Sequence, residues 1–571
     1  MSSSLQSNTT GEDEALNNNG TSSDWDYLKK PGFQPRPLRL AICGAGAAGL
    51  CLAYKILEAQ KNGVLGPVEF VLLEKESDYT GTWHANRYPG CRCDIPSAAY
   101  QFSFAPYADW PDFYSYAGEI KKYFKTFAQK HGIVLFIRLR HKVTAAVYDE
   151  ASGSWAVTVE DLDTSQTRTE TYDVFAPATG VLNNANRPAI AGMESFTLLN
   201  GLRILTGRPR LRMRECVGSS GLQIIGTIAS YCKSLDIYAR SKVWIVPTIV
   251  SLDSLKDRDW KSDNFSYSEE ERTDFAKDPE KLYSHIKEVF DKMNTRFEAK
   301  RSNSEMQKMS QNTALEHMRK SLDREDLLLK LIPDYAVGAN TRSCFYGSDP
   351  IKSITPTSIL TESGIERPVD RIILATGFDT GFRPQYTLRG RGGIDLRDVW
   401  AQKPKAYMSI ALAGFPNMFL MGSGPGIPYA NGSILPGMEA QADYVVACLS
   451  KMQKQDIKTM EVDRDAQDEY NIQQASTVKD LIWSERCSSW YKGGTVDGEP
   501  YALYAGSTLQ YRELLSSPRW EDWKFIPLYK NRFAYLGNGE SSVEATGGDR
   551  AYYFTLENCA NALTAGNFRS A

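Results

Sequence analysis

Apolar positions follow two rhythms along this chain. Leu38-Arg39-Leu40-Ala41-Ile42-Cys43 is a short, nearly continuous apolar run, and Leu50 to Gln60 carries apolar residues at helical spacing. A second run, Val68-Glu69-Phe70-Val71-Leu72-Leu73, follows. Run, helix, run at this spacing predicts a parallel βαβ unit. Residues 266–330 read differently. They are highly charged and almost free of glycine and proline, with Leu282, Ile286, Phe290 and Met293 at helical spacing. That predicts a helical excursion whose apolar stripe is core. Ala406 to Met438 contains no charged residue, yet Gly414, Pro416, Gly422, Gly424, Pro425 and Pro428 would break a spanning helix repeatedly. A buried strand followed by a glycine-rich loop is predicted there, and no membrane segment.

Length and charge narrow the class. At 571 residues the chain exceeds what one hydrophobic core supports, so at least two domains are expected. The 66 Lys plus Arg against 69 Asp plus Glu, with no polybasic stripe, argue against a nucleic-acid partner. The first residues, MSSSLQSNTTGEDEALNNNG, lack a cationic region and an apolar core, so residues 1–35 read as a disordered polar tail and the protein as cytoplasmic. The ten cysteines form no paired knuckles and there are five histidines, so neither a metal site nor a disulfide is expected.

The first apolar run leads straight into Gly44-Ala45-Gly46-Ala47-Ala48-Gly49. Strand, GxGxxG and helix in that order form a dinucleotide cradle. Gly44 makes the tight turn, Gly46 lets a pyrophosphate approach, and Gly49 lets helix and strand pack closely. Glu74, at the tip of the second run, is placed to accept from a ribose hydroxyl. On these residues alone the nucleotide is FAD or NAD.

The stretch Gly81-Thr82-Trp83-His84-Ala85-Asn86-Arg87-Tyr88-Pro89-Gly90-Cys91-Arg92-Cys93-Asp94, followed by Tyr100 and Phe102-Ser103-Phe104, resembles the flavin-contacting segment of class B flavoprotein monooxygenases, specifically their Baeyer–Villiger branch. The likeness returns at Ala178-Thr179-Gly180 and Ala375-Thr376-Gly377-Phe378-Asp379, where the family's chain crosses between domains. It returns again at Phe415-Pro416-Asn417 with the loop Gly422 to Ser433, which resembles the part that closes over the flavin. Trp483 to Cys487, Trp490-Tyr491-Lys492 and Pro518 to Trp523 resemble the C-terminal region of fungal members. The resemblance implies an α/β fold with two Rossmann-like dinucleotide-binding domains. The FAD domain would be discontinuous, 36–190 and 345–571. The NADPH domain would be 191–344, with the helical insertion at about 250–330. It assigns Thr82, Trp83, His84, Ala85, Arg92, Cys93, Asp94, Ile95 and Tyr100 to the flavin site.

The second nucleotide site is implied by Val217-Gly218-Ser219-Ser220-Gly221, with Gln223, and by Arg240-Ser241, where Arg240 can pair with the 2′-phosphate of NADPH. Two stretches depart from the family. Cys216 stands at the first glycine position, and the preceding Leu211-Arg212-Met213-Arg214-Glu215 is too basic for a strand covered on both faces. The family signature phenylalanine-x-glycine-x3-histidine-x3-tryptophan begins at Phe196, but glycine, histidine and tryptophan do not follow. Beyond Gly338 the family's active-site arginine is matched only by a displaced Arg342.

In the family, NADPH reduces FAD, the reduced flavin activates O2, and a fixed arginine held by an aspartate stabilises the anions of the reaction. Arg342 and Asp94 would take those roles. The expected function is conversion of a ketone, such as a fungal polyketide or terpenoid, to an ester or lactone. Flavin-dependent hydroxylation or heteroatom oxygenation is an alternative, as is a flavin-binding protein with impaired NADPH turnover.

Overall fold

The computed structural model describes residues 22–182, 184–195, 210–214, 219–238, 242, 244–246, 252, 264–322, 325–338, 349–429 and 432–564. Among them the predicted βαβ unit is present. Strand β1 (Leu38–Cys43) leads into helix α1 (Ala47–Lys61) and then β2 (Val68–Leu73). β1 and β2 pair in parallel with Leu38 opposite Val68 and Cys43 opposite Leu73. Both strands are buried almost throughout, as a strand at the centre of a layered sheet requires.

The flavin-like segment that follows contains the short helix α2 (Thr82–Ala85) and the amphipathic helix α3 (Ala117–Lys130). Ile120, Tyr123, Phe124 and Phe127 form the buried face of α3. Strand β3 (Ile137–Arg138) then joins the edge of β2. β4 (His141–Asp149), β5 (Ser154–Asp161) and β6 (Thr167–Tyr172) form an antiparallel meander. β7 (Val174–Pro177) returns to pair in parallel with β1, completing the order β3-β2-β1-β7.

The middle of the chain carries β8 (Arg210–Arg214), α4 (Ser219–Ile228) and β9 (Ser234–Ile237). The excursion is helical as expected: α5 (Glu269–Lys277), α6 (Pro279–Asn294), α7 (Glu305–Ser321) and α8 (Glu325–Leu331). Its stripe is core, with Val289 and Met293 buried and Ile286 and Phe290 packed against Ala98, Phe113 and Tyr114. Strands β10 (Ile351–Ile354), β11 (Ser358–Thr361) and β12 (Glu366–Pro368) form an antiparallel sheet. β13 (Arg371–Leu374) pairs with β8, which also pairs with β9, all in parallel. The segment read as the strand before the second glycine loop is therefore the central strand of a three-stranded parallel sheet, basic as its composition is. Backbone pairing with Ile372 and Ile373 decides its conformation.

Two connections run side by side here. Asn186 N–H donates to the Gly377 carbonyl at 2.9 Å, and Asp379 N–H donates to the Asn184 carbonyl at 2.8 Å. β14 (Thr387–Arg389) then adds to β4 in parallel. Ala406 to Met438 is not a membrane helix, and its predicted strand is only an extended stretch beside β7. Phe175 N–H donates to the Asn417 carbonyl, and Phe419 N–H to that of Phe175, both at 3.1 Å. Trp155 Nε1 donates to the Pro416 carbonyl at 2.9 Å, joining residues 261 positions apart in one core with Ala41, Val71, Phe175 and Trp400. Among the described residues no helix is long and apolar enough to cross a membrane, and no group of side chains could hold a metal ion.

All of these elements belong to one unit, Pro37–Leu449 with Met460–Lys524. A second unit is built from residues 22–36, Ser450–Thr459 and 525–564. Within it Ser22–Lys29 forms a 3-10 helix inside the stretch read as a tail. Tyr27 is buried there edge-on to Tyr529, and Lys30 Nζ pairs with Asp456 at 2.7 Å. Aromatic packing and charge pairs at Lys29 and Lys30 hold this stretch.

Candidate active site

Gly49 packs as its place in the first motif predicts. A β-carbon on Gly49 would stand 2.2 Å from the Gly44 carbonyl oxygen, so only glycine lets α1 start this close to β1. Gly46 faces Gly81, whose own β-carbon would be 2.9 Å from the Gly46 Cα. Two glycines thus lie back to back, and the GTW segment closes on the dinucleotide loop along a seam without side chains. The N-cap of α1 is Gly46, which supplies no side-chain cap, leaving first-turn N–H groups for an anion.

Glu74 stands at the end of β2 and is buried. Its Oε2 accepts from the Ala45 N–H at 2.9 Å and its Oε1 from the Glu76 N–H at 3.0 Å. Burial raises its carboxyl above the ordinary range, although these two bonds oppose the shift. Each oxygen keeps a further lone pair, as a ribose hydroxyl would need. Thr80 was not singled out by any motif. Its N–H donates to the Ala45 carbonyl at 2.9 Å, and its buried Oγ1 has no partner among the described residues. An unmet hydroxyl, free helical N–H groups and a seam of glycines together fit a phosphate-bearing dinucleotide.

The flavin-like segment is fixed by its own contacts. Trp83 Nε1 donates to the Tyr100 hydroxyl at 3.3 Å, with the rings edge to face at 5.4 Å. His84 is buried, its Nδ1 3.0 Å from Lys121 Nζ. Burial and then the Lys121 charge lower its pKa, so it is held neutral and accepts from the ammonium. Lys121 and Lys125 share Asp78 at 2.9 and 3.0 Å. Burial alone would raise the Asp78 pKa, but the two lysines bring it below its ordinary value. Cys93 is buried and its thiol pushed well up by desolvation, which agrees with a packing role. Thr82 and Ile95 are half-buried and Ala85 is exposed.

Asp94 keeps an accessible face while protein walls it on its other sides, and desolvation raises its carboxyl. No cation pairs with it among the described residues. Arg342, its expected partner, lies outside the described residues, as do Val217, Gly218, Arg240, Ser241 and Cys216. Ser219 and Gly221 open α4.

Gln223, on α4, reaches the flavin segment. Its Nε2 donates to the Arg92 carbonyl at 2.9 Å, while its Oε1 accepts from the Tyr88 hydroxyl at 3.1 Å. Ser220 Oγ donates to the same Tyr88 hydroxyl at 2.9 Å. Gly90 makes the contact close, since a β-carbon there would be 2.1 Å from Thr227 Oγ1 and 2.5 Å from the Gln223 carbonyl oxygen. Residues assigned to two different nucleotides are thereby tied together. A cavity of about 290 Å³ opens beside this junction, lined in part by Trp83, Arg87, Tyr88, Gly90 and Tyr116. The expected flavin-closing loop also lies at the cradle, with Gly422 positioned so that a β-carbon would be 3.2 Å from Ala48 Cβ.

An FAD-binding monooxygenase of Aspergillus terreus, tazF, is 35% identical over 554 residues, covering 92% of this chain and 95% of that protein. The chain belongs to the FAD-binding monooxygenase family. As such it is an FAD-binding monooxygenase. A Baeyer–Villiger monooxygenase of Pseudomonas aeruginosa is 27% identical to it over 509 residues, covering 84% of this chain and 90% of that protein. The family model of an NAD(P)-binding Rossmann-like domain matches residues 42–117 of the monooxygenase, the cradle and the flavin-like segment. In fold the monooxygenase is similar to cyclohexanone monooxygenase from Rhodococcus sp. Phi1 bound to NADP+. The TM-score is 0.70 at 21% identity, covering 86% of this chain and all of that one.

Proposed function

We propose that this monooxygenase inserts one oxygen of O2 next to the carbonyl of a polyketide or terpenoid ketone, giving an ester or lactone. Bound FAD would supply oxygen activation after reduction by NADPH. Gly44, Gly46, Gly49 and Glu74, with the unmet Thr80 hydroxyl, would hold the dinucleotide half of FAD. Thr82, Trp83 and Tyr100 would wall its reactive end. Ser219, Ser220 and Gly221 at the start of α4 would receive NADPH phosphates, with Arg240 on the 2′-phosphate. Asp94 would position a cation, for which Arg342 is the candidate, and that charge would stabilise the anions of the reaction.

The observation that carries this reading is the Gln223 junction. Hydride transfer between two bound nucleotides needs their sites held at a fixed separation, and Gln223 with Ser220 fixes α4 to the flavin segment. The strand pairing also supports a domain crossing at Ala178-Thr179-Gly180 and back at Ala375-Thr376-Gly377. β10 to β13 would then belong with β8, β9 and α4.

Anaerobic mixing with NADPH, followed by turnover of a ketone panel under labelled O2, tests the proposal. Flavin bleaching and an ester carrying one label are expected. Bleaching with a hydroxylated product would assign the hydroxylase chemistry instead. A flavin that bleaches with dithionite but not NADPH would mean that the second site no longer works.

A further inference from the structure

The charged residues lining the cavity of about 290 Å³ beside the Gln223 junction are all of one sign. Arg87 and Lys121 both line it, and no aspartate or glutamate does. Arg87 is exposed and has no ion pair or hydrogen bond among the described residues. Lys121 is fixed from behind, its Nζ 2.9 Å from Asp78 and 3.0 Å from His84 Nδ1. An ammonium carries three N–H groups, so these two partners leave one for a ligand. Asp78 does not cancel the charge, because Lys125 shares it at 3.0 Å. Two lysines against one carboxylate leave one positive charge, and Arg87 adds another.

Aromatic rings complete the wall, from Trp83, Tyr88 and Tyr116. Trp83 is held edge to face by Tyr100, and the Tyr88 hydroxyl is held by Gln223 and Ser220. Both rings are therefore set before any ligand arrives, which lowers the ordering cost of binding. Tyr116 is exposed and meets no other ring among the described residues. Cavities that take small molecules usually measure ~300–1,000 Å³. This one stands at the lower end, which suits a body of one or two rings and not a steroid-sized one.

We propose that this cavity binds a small aromatic carboxylate, with its oxygens on Arg87 and Lys121 and its ring against the aromatic wall. The guanidinium offers a planar fork and the ammonium a point charge, which together suit a carboxylate. Flat aromatic faces favour a flat ring between them. The acid is either part of the substrate or a separate ligand of the enzyme. The site does not depend on the ketone chemistry, because its test reads binding first and product second.

Calorimetric titration of the flavin-loaded protein with 4-acetylbenzoate gives the test, with 4-acetylbenzamide as the same ring without the charge. The acid binds the wild type, and the amide binds it roughly tenfold more weakly or worse. Arg87→Gln and Lys121→Met each lose roughly tenfold or more in affinity for the acid. Lys122→Met, which removes a lysine of the same helix outside the cavity, stays within about threefold. Arg87→Gln melts with the wild type, because its guanidinium pairs with nothing in the fold, so its loss is one of binding. With NADPH and O2, a product heavier by one oxygen marks the acid as part of the substrate, and acid recovered unchanged marks a separate ligand. A wild type that does not bind the acid, an amide that binds as well, or an Arg87→Gln protein with wild-type affinity overturns the proposal. So does displacement of the acid by NADP+, which would give the cavity to a cofactor phosphate.

Discussion

Gln223 Nε2 donates to the Arg92 carbonyl oxygen at 2.9 Å across 131 positions of sequence. Its Oε1 accepts from Tyr88, whose hydroxyl is kept protonated by burial. Replacing Gln223 with alanine leaves the Arg92 carbonyl and the Tyr88 hydroxyl without this partner. The expected cost is about 1–3 kcal/mol of stability. Flavin content should stay at the wild-type level while NADPH-driven bleaching slows by roughly tenfold or more, because the cradle is intact and only the junction loosens. Stopped-flow absorbance of the reconstituted variant checks this. Faster loss of flavin than of reduction rate would refute it.

Gly90 has a φ of +77° and meets α4 through backbone as well as side chain. Gly90→Ala is expected to destabilise the protein by roughly 2–4 kcal/mol. Combining it with Thr227→Ala should recover only part of that, because the Gln223 carbonyl oxygen still blocks the β-carbon. Thermal melts of the single and double variants decide between side-chain and backbone crowding.

Glu74 is tied by two backbone N–H donors. Glu74→Gln can satisfy one of them, and its amide N–H then points at the other donor, costing about 1–3 kcal/mol. Flavin retention after gel filtration should fall. An unchanged flavin-to-protein ratio would show that the carboxylate is dispensable.

His84 binds its proton less readily in the folded protein than in the unfolded chain. Its contribution to stability is therefore present above its ordinary pKa and is lost as pH falls through the lowered folded value. Between about pH 8 and about pH 5, wild-type melting temperature should drop further than that of His84→Gln. Parallel pH curves for the two proteins would count against the assignment.

Asp94 has a raised carboxyl and no cation among the described residues, which agrees with a role at the reacting centre and not in the scaffold. Asp94→Ala should keep its flavin and its melting temperature yet lose roughly a hundredfold in turnover with a ketone substrate. A lowered melting temperature with turnover per bound flavin unchanged would make Asp94 a structural turn residue.

The cradle was legible because its determinants are local. Gly44 to Gly49, the apolar runs around them and Glu74 all lie within one βαβ unit, and the structure gives each the expected position. Gln223 could be named from its motif, but its bond to Arg92 could not, since no periodicity connects residues that far apart. Thr80 escaped because a threonine before a glycine turn carries no signal of its own. Strand β8 could be placed from its position before the second glycine loop, but its partners β9 and β13 could not, since β13 lies about 160 residues away.

The core that joins Trp155 and Phe175 to residues 415–418 sets an order on biosynthesis. About 210 residues separate Phe175 from Tyr386, where the second half of that core begins, so at ~5–20 residues per second a ribosome needs roughly 10–40 s to reach it. Through that interval β1, β5 and β7 have no cover for the faces that Phe415 and Met418 will bury. The intervening segment, including β8, β9 and the helical excursion, emerges first. A nascent chain of this enzyme is thus exposed to aggregation in the middle of translation, and chaperone capture should peak on ribosomes that have passed β7 but not residue 418.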